Sequence, residues 1–263
     1  MKKLSLGLFI YFLIVQMTMA QQTFRLSPKN IPYTDSTLVF LPQQYSKETT
    51  KKFPLLFMLH GWSGNYKQWK SVTNLQDYAD KYGFVIVCPD GLYDSWYINS
   101  PKIPQQQYAT FFFEELYPYL LQNYRIDTQN IFITGLSMGG YGAFSLFLQK
   151  PEMFKAVAAT SALFDLSLFC KRFGLTKTLG GFEAETWKKY SIIEQLKQWE
   201  GKNKPIFFDC GTSDVFYESN VKFHQECKDL GLQVNFESGA GNHDKNYWKK
   251  SVALHFEFFN KLR

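Results

Sequence analysis

No run of basic residues in this 263-residue chain is longer than two, so the charge pattern of a nucleic-acid binder is missing. Cysteine and histidine are scarce, with four of each. Cys88, Cys170, Cys210 and Cys227 follow no zinc-ligand spacing, which gives no reason to expect a metal centre. There is no internal repeat and no low-complexity linker. Beyond residue 20 no apolar run is long enough to cross a bilayer.

What is present is a soluble-type composition, 45% apolar and 20% charged, in a chain long enough to bury a substantial core. Phenylalanine is abundant, with 26 residues, alongside 16 Tyr and 6 Trp. That aromatic content predicts a heavily aromatic core and an aromatic-lined cleft. The net charge is +6, and 27 bases face 23 acids once Lys2 and Lys3 are set aside. Residues 1–20 read as a signal peptide: a Lys-Lys start, an almost unbroken apolar run from Leu4 to Val15, and small residues ahead of a cut after Ala20. Export to the periplasm or beyond is therefore expected, with 21–263 as one catalytic domain. An oxidising compartment would allow the cysteines to pair, in any of three connectivities.

Short apolar segments alternate with helical patterns along the rest of the chain. Thr23–Leu26 and Ser36–Leu41 read as an antiparallel start. Phe53–Leu59, Phe84–Cys88, Ile131–Thr134, Ala156–Ala162, Pro205–Asp209 and Gln233–Glu237 read as buried strands. Helices are predicted over Val72–Lys81, Tyr108–Tyr124 with Pro118 as a kink, the segment after Ser137 as far as Lys150, Asn220–Leu230 and Tyr247–Leu262. This alternation predicts an α/β fold with a mostly parallel eight-stranded sheet, helices on both faces, and a small insertion at 164–204. In such sheets ligands meet the carboxyl ends of the strands. His60-Gly61-Trp62, Asp90, Ser137, Asp214 and His243 all fall at those ends.

Gly135-Leu136-Ser137-Met138-Gly139 lies between a strand and a helix, the context that gives a G-x-S-x-G sequence its meaning as a nucleophile elbow. A serine hydroxyl needs a base that works near neutral pH. Of the four histidines, His224 and His255 lie within predicted helices and His60 sits where it could brace a loop. His243 follows the last strand in a glycine-rich loop and is the expected base. Asp214, just past a strand end and between Ser137 and His243 in the chain, is the expected acid. Asp165 competes with it, Asp209 lies inside a strand, and Asp244 is too close along the backbone to orient the ring. The oxyanion donors expected are the Met138 and Trp62 N–H groups.

Together LHGWSGN (59–65), CPDG (88–91), SWY (95–97), GLSMGGYGA (135–143), GTSD (211–214) and GNHD (241–244) resemble the esterase branch of the α/β-hydrolases. That branch includes tributyrin, feruloyl and acetyl-xylan esterases, S-formylglutathione hydrolases and mycolyltransferases. The resemblance covers Phe53 to the C-terminus. It implies the α/β-hydrolase fold, ester hydrolysis without a cofactor, Ser137, Asp214 and His243 as nucleophile, acid and base, and Met138 and Trp62 as oxyanion donors.

The expected substrate is a short acyl, acetyl or feruloyl ester, free or carbohydrate-borne, with Trp62, Tyr93, Trp96, Tyr97, Phe164 and Trp187 along an expected aromatic rim and Tyr93, Trp96, Tyr97 and Phe164 as its expected contacts. Export argues against a cytosolic glutathione-linked substrate, and an insertion of about 40 residues is too short for a lipase lid. An acyltransferase with the same triad and a catalytically silent binding module remain open at this point.

Overall fold

The computed structural model describes residues 20–199 and 204–263. The signal peptide expected at 1–20 lies almost wholly outside the described residues. Eight strands form one sheet: β1 (Gln21–Leu26), β2 (Asp35–Phe40), β3 (Phe53–Leu59), β4 (Val85–Cys88), β5 (Ile126–Gly135), β6 (Ala156–Thr160), β7 (Ile206–Gly211) and β8 (Val234–Gly239). Their order across the sheet is β1-β2-β4-β3-β5-β6-β7-β8. β1 pairs antiparallel with β2 and β2 with β4; every other pair is parallel.

β3 shows why these segments become central strands. Its successive side chains point to opposite faces, and both faces are covered. Leu55, Phe57 and Leu59 enter one apolar cluster, while Leu56 and Met58 enter the other. A strand so placed must be apolar throughout, as the FPLLFML run is.

Four helices carry most of the covering: α1 (Leu75–Tyr82), α2 (Met138–Gln149), α3 (Tyr217–Asp229) and α4 (Lys245–Asn260). α2 is apolar on all sides, with Met138 to Phe147 continuously buried, because it fills the space against the centre of the sheet. α1 starts three residues later than the periodicity predicts. The Asn74 side chain accepts from Gln76 N–H and caps it, so the polar cap sets the boundary rather than the apolar spacing. The predicted helix over 108–124 exists with a defect: Phe112–Leu116 widens into a π turn just before Pro118. Pro118 has no N–H to return to Glu114 and its ring would crowd that carbonyl, so the chain relaxes by one residue. The four cysteines are free thiols, and burial pushes the thiols of Cys88, Cys210 and Cys227 up. Among the described residues no helix is long and apolar enough to cross a membrane.

β2 brings Asp35 into the interior beside the end of β4. Thr37 Oγ1 donates to Asp35 Oδ2 at 2.6 Å, while Oδ1 has no partner among the described residues. Burial raises the Asp35 pKa to about 7 against the Thr37 bond, and the nearby Asp90 charge adds to the rise. The folded protein thus holds a proton that the unfolded chain releases near pH ~3.9. The stability this proton confers is complete below that value and is lost as the pH rises towards 7. Asp35→Asn, which cannot ionise, is expected to gain on the wild type over that interval by up to about 4 kcal/mol. Urea unfolding of both proteins at pH 4, 5.5 and 7 measures it, and a constant difference would contradict it.

Candidate active site

Ser137 sits between β5 and α2 with φ 55° and ψ −119°, a conformation that residues with a Cβ rarely adopt. Two glycines make room for it. A Cβ on Gly135 would lie 2.1 Å from the Gly139 carbonyl oxygen, and one on Gly139 would lie 2.3 Å from the Leu59 oxygen. The spacing of the glycines therefore reflects a close approach of α2 to β5 and β3, with the serine raised at the sheet's carboxyl edge.

His243 reaches this serine from the loop after β8. Its Nε2 lies 3.0 Å from Ser137 Oγ, and its Nδ1 lies 2.9 and 3.0 Å from the two Asp214 oxygens. An ionised carboxylate can only accept, so Nδ1 donates to Asp214, and Nε2 is left to accept from the serine hydroxyl. Phe216 and Trp248 pack edge-on against the imidazole, with ring centroids 4.9 and 5.2 Å away. Burial pushes the Asp214 carboxyl up. The hydrogen bond and charge of His243, with the Phe216 N–H and Ser161 behind them, outweigh that push and hold it below its ordinary value. The Asp214 and His243 loops are joined by backbone bonds, Thr212 N–H to Gly239 O and Ser213 N–H to Gly241 O, both at 2.9 Å.

The competing acids are occupied elsewhere. Asp165 accepts from Ser167 and lies 3.7 Å from Lys222. Asp244 caps α4 by accepting from Asn246 and Tyr247 N–H.

His60 is buried and its tautomer follows from its partners. Gly91 N–H donates to Nε2 at 2.6 Å, so Nδ1 carries the proton and donates to Gly61 O at 2.8 Å. The peptide is planar and trans, so fixing the Gly61 carbonyl aims the Trp62 N–H the opposite way. Gln68 Oε1 accepts from Gly61 N–H at 2.7 Å and holds the same loop. Among the described residues neither Trp62 N–H nor Met138 N–H has a backbone acceptor.

A cavity of about 160 Å³ opens at Ser137 and His243, walled by Trp62, Trp96, Phe173, Val215, Phe216 and Trp248. Of the rim residues expected from sequence, Tyr93 is 57% exposed and its ring packs against Trp62. Trp96 is 1% exposed and lines the cavity instead of standing on an exposed rim. Tyr97, Phe164 and Trp187 correct the expectation, since all three are buried and none lines the cavity. The Tyr97 hydroxyl is taken up by the His60 carbonyl, and Phe164 stacks on Phe223 at 3.7 Å within the core. Phe173, Val215, Phe216 and Trp248 were not singled out from the sequence. Phe216 follows Asp214 by two residues, and Trp248 follows His243 by five, which is the only signal they carried.

A model of the family described as "Putative esterase" matches residues 34–258. The chain belongs to this esterase family. It is 26% identical over 226 residues to an acetyl esterase of Caldicellulosiruptor saccharolyticus, covering 79% of this chain and 83% of that protein. It is 27% identical over 236 residues to an S-formylglutathione hydrolase of Mus musculus, covering 80% and 82%. Among solved structures, a ferulic acid esterase superposes with a TM-score of 0.79 at 26% identity, covering 92% of this chain and 98% of the other. An S-formylglutathione hydrolase from Agrobacterium tumefaciens shares the fold, with a TM-score of 0.81 at 20% identity and coverage of 92% and 95%. The esterase is thus a carboxylic-ester hydrolase of the α/β-hydrolase fold.

Beneath the site lies a second His–Asp pair that the sequence reading placed in packing and strand interior. Asp209 accepts from Thr160 Oγ1 at 2.7 Å and Ser251 Oγ at 2.8 Å, and lies 2.7 Å from His255 Nε2. His255 Nδ1 meets Thr134 Oγ1 at 2.7 Å. The pair ties β5, β6 and β7 to α4 with no exposed atom to meet a substrate. Removing one member of such a buried pair strands the other. Asp209→Ala is expected to lower the unfolding free energy of the esterase by about 3 kcal/mol. Chemical denaturation tests this, and a loss below about 1 kcal/mol would show that the pair is not structural.

Proposed function

We propose that the esterase works by a Ser137–His243–Asp214 triad and hydrolyses esters of short acyl groups, including those borne on carbohydrate. The observation that carries this reading is the unbroken hydrogen-bonded chain from Ser137 Oγ through His243 to Asp214. His243 Nε2 takes the hydroxyl proton as Ser137 Oγ attacks the ester carbonyl. The negative oxygen of the tetrahedral intermediate is held by the Met138 and Trp62 N–H groups, the second aimed by His60 through the Gly61 carbonyl. One such donor is worth roughly 3 kcal/mol of transition-state stabilisation. Collapse breaks the ester C–O bond, and His243 returns the proton to the leaving alcohol. Water then attacks the acyl-serine by the same route in reverse. Asp214, held below its ordinary pKa, stays charged and stabilises the imidazolium in both halves.

The acetyl esterase relative supports the choice of acyl group. The Lys-Lys start and apolar run within residues 1–20 support export, with cleavage after Ala20.

Ser137→Ala is expected to reduce hydrolysis of 4-nitrophenyl acetate at least 10⁴-fold while leaving the melting temperature within a few degrees. Substantial turnover in the folded variant would place the nucleophile elsewhere. On acidification, kcat/KM should fall about tenfold per pH unit along the acid limb of the profile, because a protonated imidazole cannot take the serine proton. A flat profile down to pH 4 would remove His243 from the role of base.

A further inference from the structure

The insertion between β6 and β7 contributes one side chain to the cavity beside Ser137, that of Phe173, and several features fix it there. Its φ is 56°, a strained value for a bulky residue that persists only when the surroundings impose it. The Trp96 indole N–H donates to the Phe173 carbonyl at 3.0 Å. The next residue, Gly174, also has positive φ, and a Cβ there would lie 2.6 Å from the Asp94 side chain. Asp94 holds the following turn, pairing with Lys177 Nζ at 2.9 Å and accepting through its carbonyl from Thr178 Oγ1 at 2.8 Å. One residue cluster further, Ser100 Oγ donates to Thr178 O at 2.6 Å. This part of the insertion is therefore fastened to the loop after β4 along its length, as a wall and not as a lid.

The Phe173 ring meets Trp62 at 5.5 Å and Phe216 at 6.1 Å, bridging the oxyanion-donor loop and the acid loop. The His243 side chain, which must reach the leaving alcohol, is 27% exposed. Trp96, 1% exposed, lines the same cavity as Phe173, and its indole N–H holds the Phe173 carbonyl. The volume of about 160 Å³ is roughly half the ~300 Å³ at which pockets for drug-sized ligands begin. We propose that Phe173 is the specificity-determining wall of the acyl pocket, restricting the enzyme to short aliphatic acyl groups, acetyl to butyryl, and excluding feruloyl and longer chains.

This rests on the triad reading above and narrows it, and kinetic ratios separate the two. The test compares 4-nitrophenyl acetate, butyrate and octanoate, with methyl ferulate as a planar aromatic acyl donor, on wild type, Phe173→Ala and Phe173→Leu. Ratios taken against acetate cancel any loss of folded protein, and the leucine variant keeps apolar packing should the alanine variant not fold. In the wild type, kcat/KM is expected to drop at least tenfold from butyrate to octanoate, with methyl ferulate weaker still. The octanoate-to-acetate ratio should rise at least tenfold in Phe173→Ala, with a smaller rise in Phe173→Leu. Unchanged ratios in the folded variants would overturn the proposal, as would wild-type turnover of methyl ferulate or octanoate matching acetate. A parallel series of ethyl, butyl and octyl acetates varies the alcohol alone. A change confined to that series would move Phe173 to the leaving-group side and also overturn it. Wild-type protein inert on every ester would instead bring down the triad reading itself, and the acyl wall with it.

Discussion

Ser137 can occupy its position only because nothing larger than a hydrogen atom projects from Gly135 and Gly139. A side chain at either would collide with backbone atoms of α2 or β3 at little more than 2 Å. The strained serine torsion persists because the surrounding helix and strands impose it. The hydrogen-bonded Ser137, His243 and Asp214 side chains are arranged about that point. β3 ends beside it and sends the His60–Trp62 loop over it, β7 ends in the Asp214 loop, and β8 delivers His243. Parallel strands make this convergence possible, since all their carboxyl ends lie at one edge of the sheet.

Around that edge the polar groups constrain one another in layers. Asp214 orients the imidazole. The backbone bonds between the Asp214 and His243 loops keep the two in register. His60, a neutral imidazole by virtue of the Gly91 N–H it accepts, sets the orientation of the Gly61–Trp62 peptide. Below them the Asp209–His255 pair joins three strands to α4, the helix that begins directly after His243. The molecule thus holds two histidine–aspartate pairs in different settings: one part-exposed and hydrogen-bonded to the Ser137 hydroxyl, the other sealed and holding the scaffold beneath it.

The local rules that can be read from a chain account for much of this and fail in instructive places. β3 and β7 were legible because a strand buried on both faces must be apolar at every position. The elbow was legible because strand, glycine spacing and helix all fall within a dozen residues. Ser137, Asp214 and His243 could be singled out because each lies just beyond a strand end. Asp209 and His255 could not be paired, since 46 residues separate them and only the folded sheet brings them together. Tyr97 and Phe164 illustrate the opposite error. Their aromatic character suits a rim as well as a core, and their burial depends on neighbours distant in the chain, His60 for Tyr97 and Phe208 and Phe223 for Phe164. Phe173 carries no local signal for the same reason, because the contacts that hold it and Gly174 run to Trp96 and Asp94 about 80 residues earlier.

The central claim is that the hydroxyl at 137 is made nucleophilic by the imidazole at 243. Labelling with a fluorophosphonate, followed by intact-mass analysis and peptide mapping, tests this most directly. One adduct per chain, on Ser137, is expected in the native protein at neutral pH, with the labelling rate falling at least a hundredfold in a folded His243→Ala variant. An adduct on another residue, or labelling of Ser137 at an undiminished rate without the imidazole, would contradict the account.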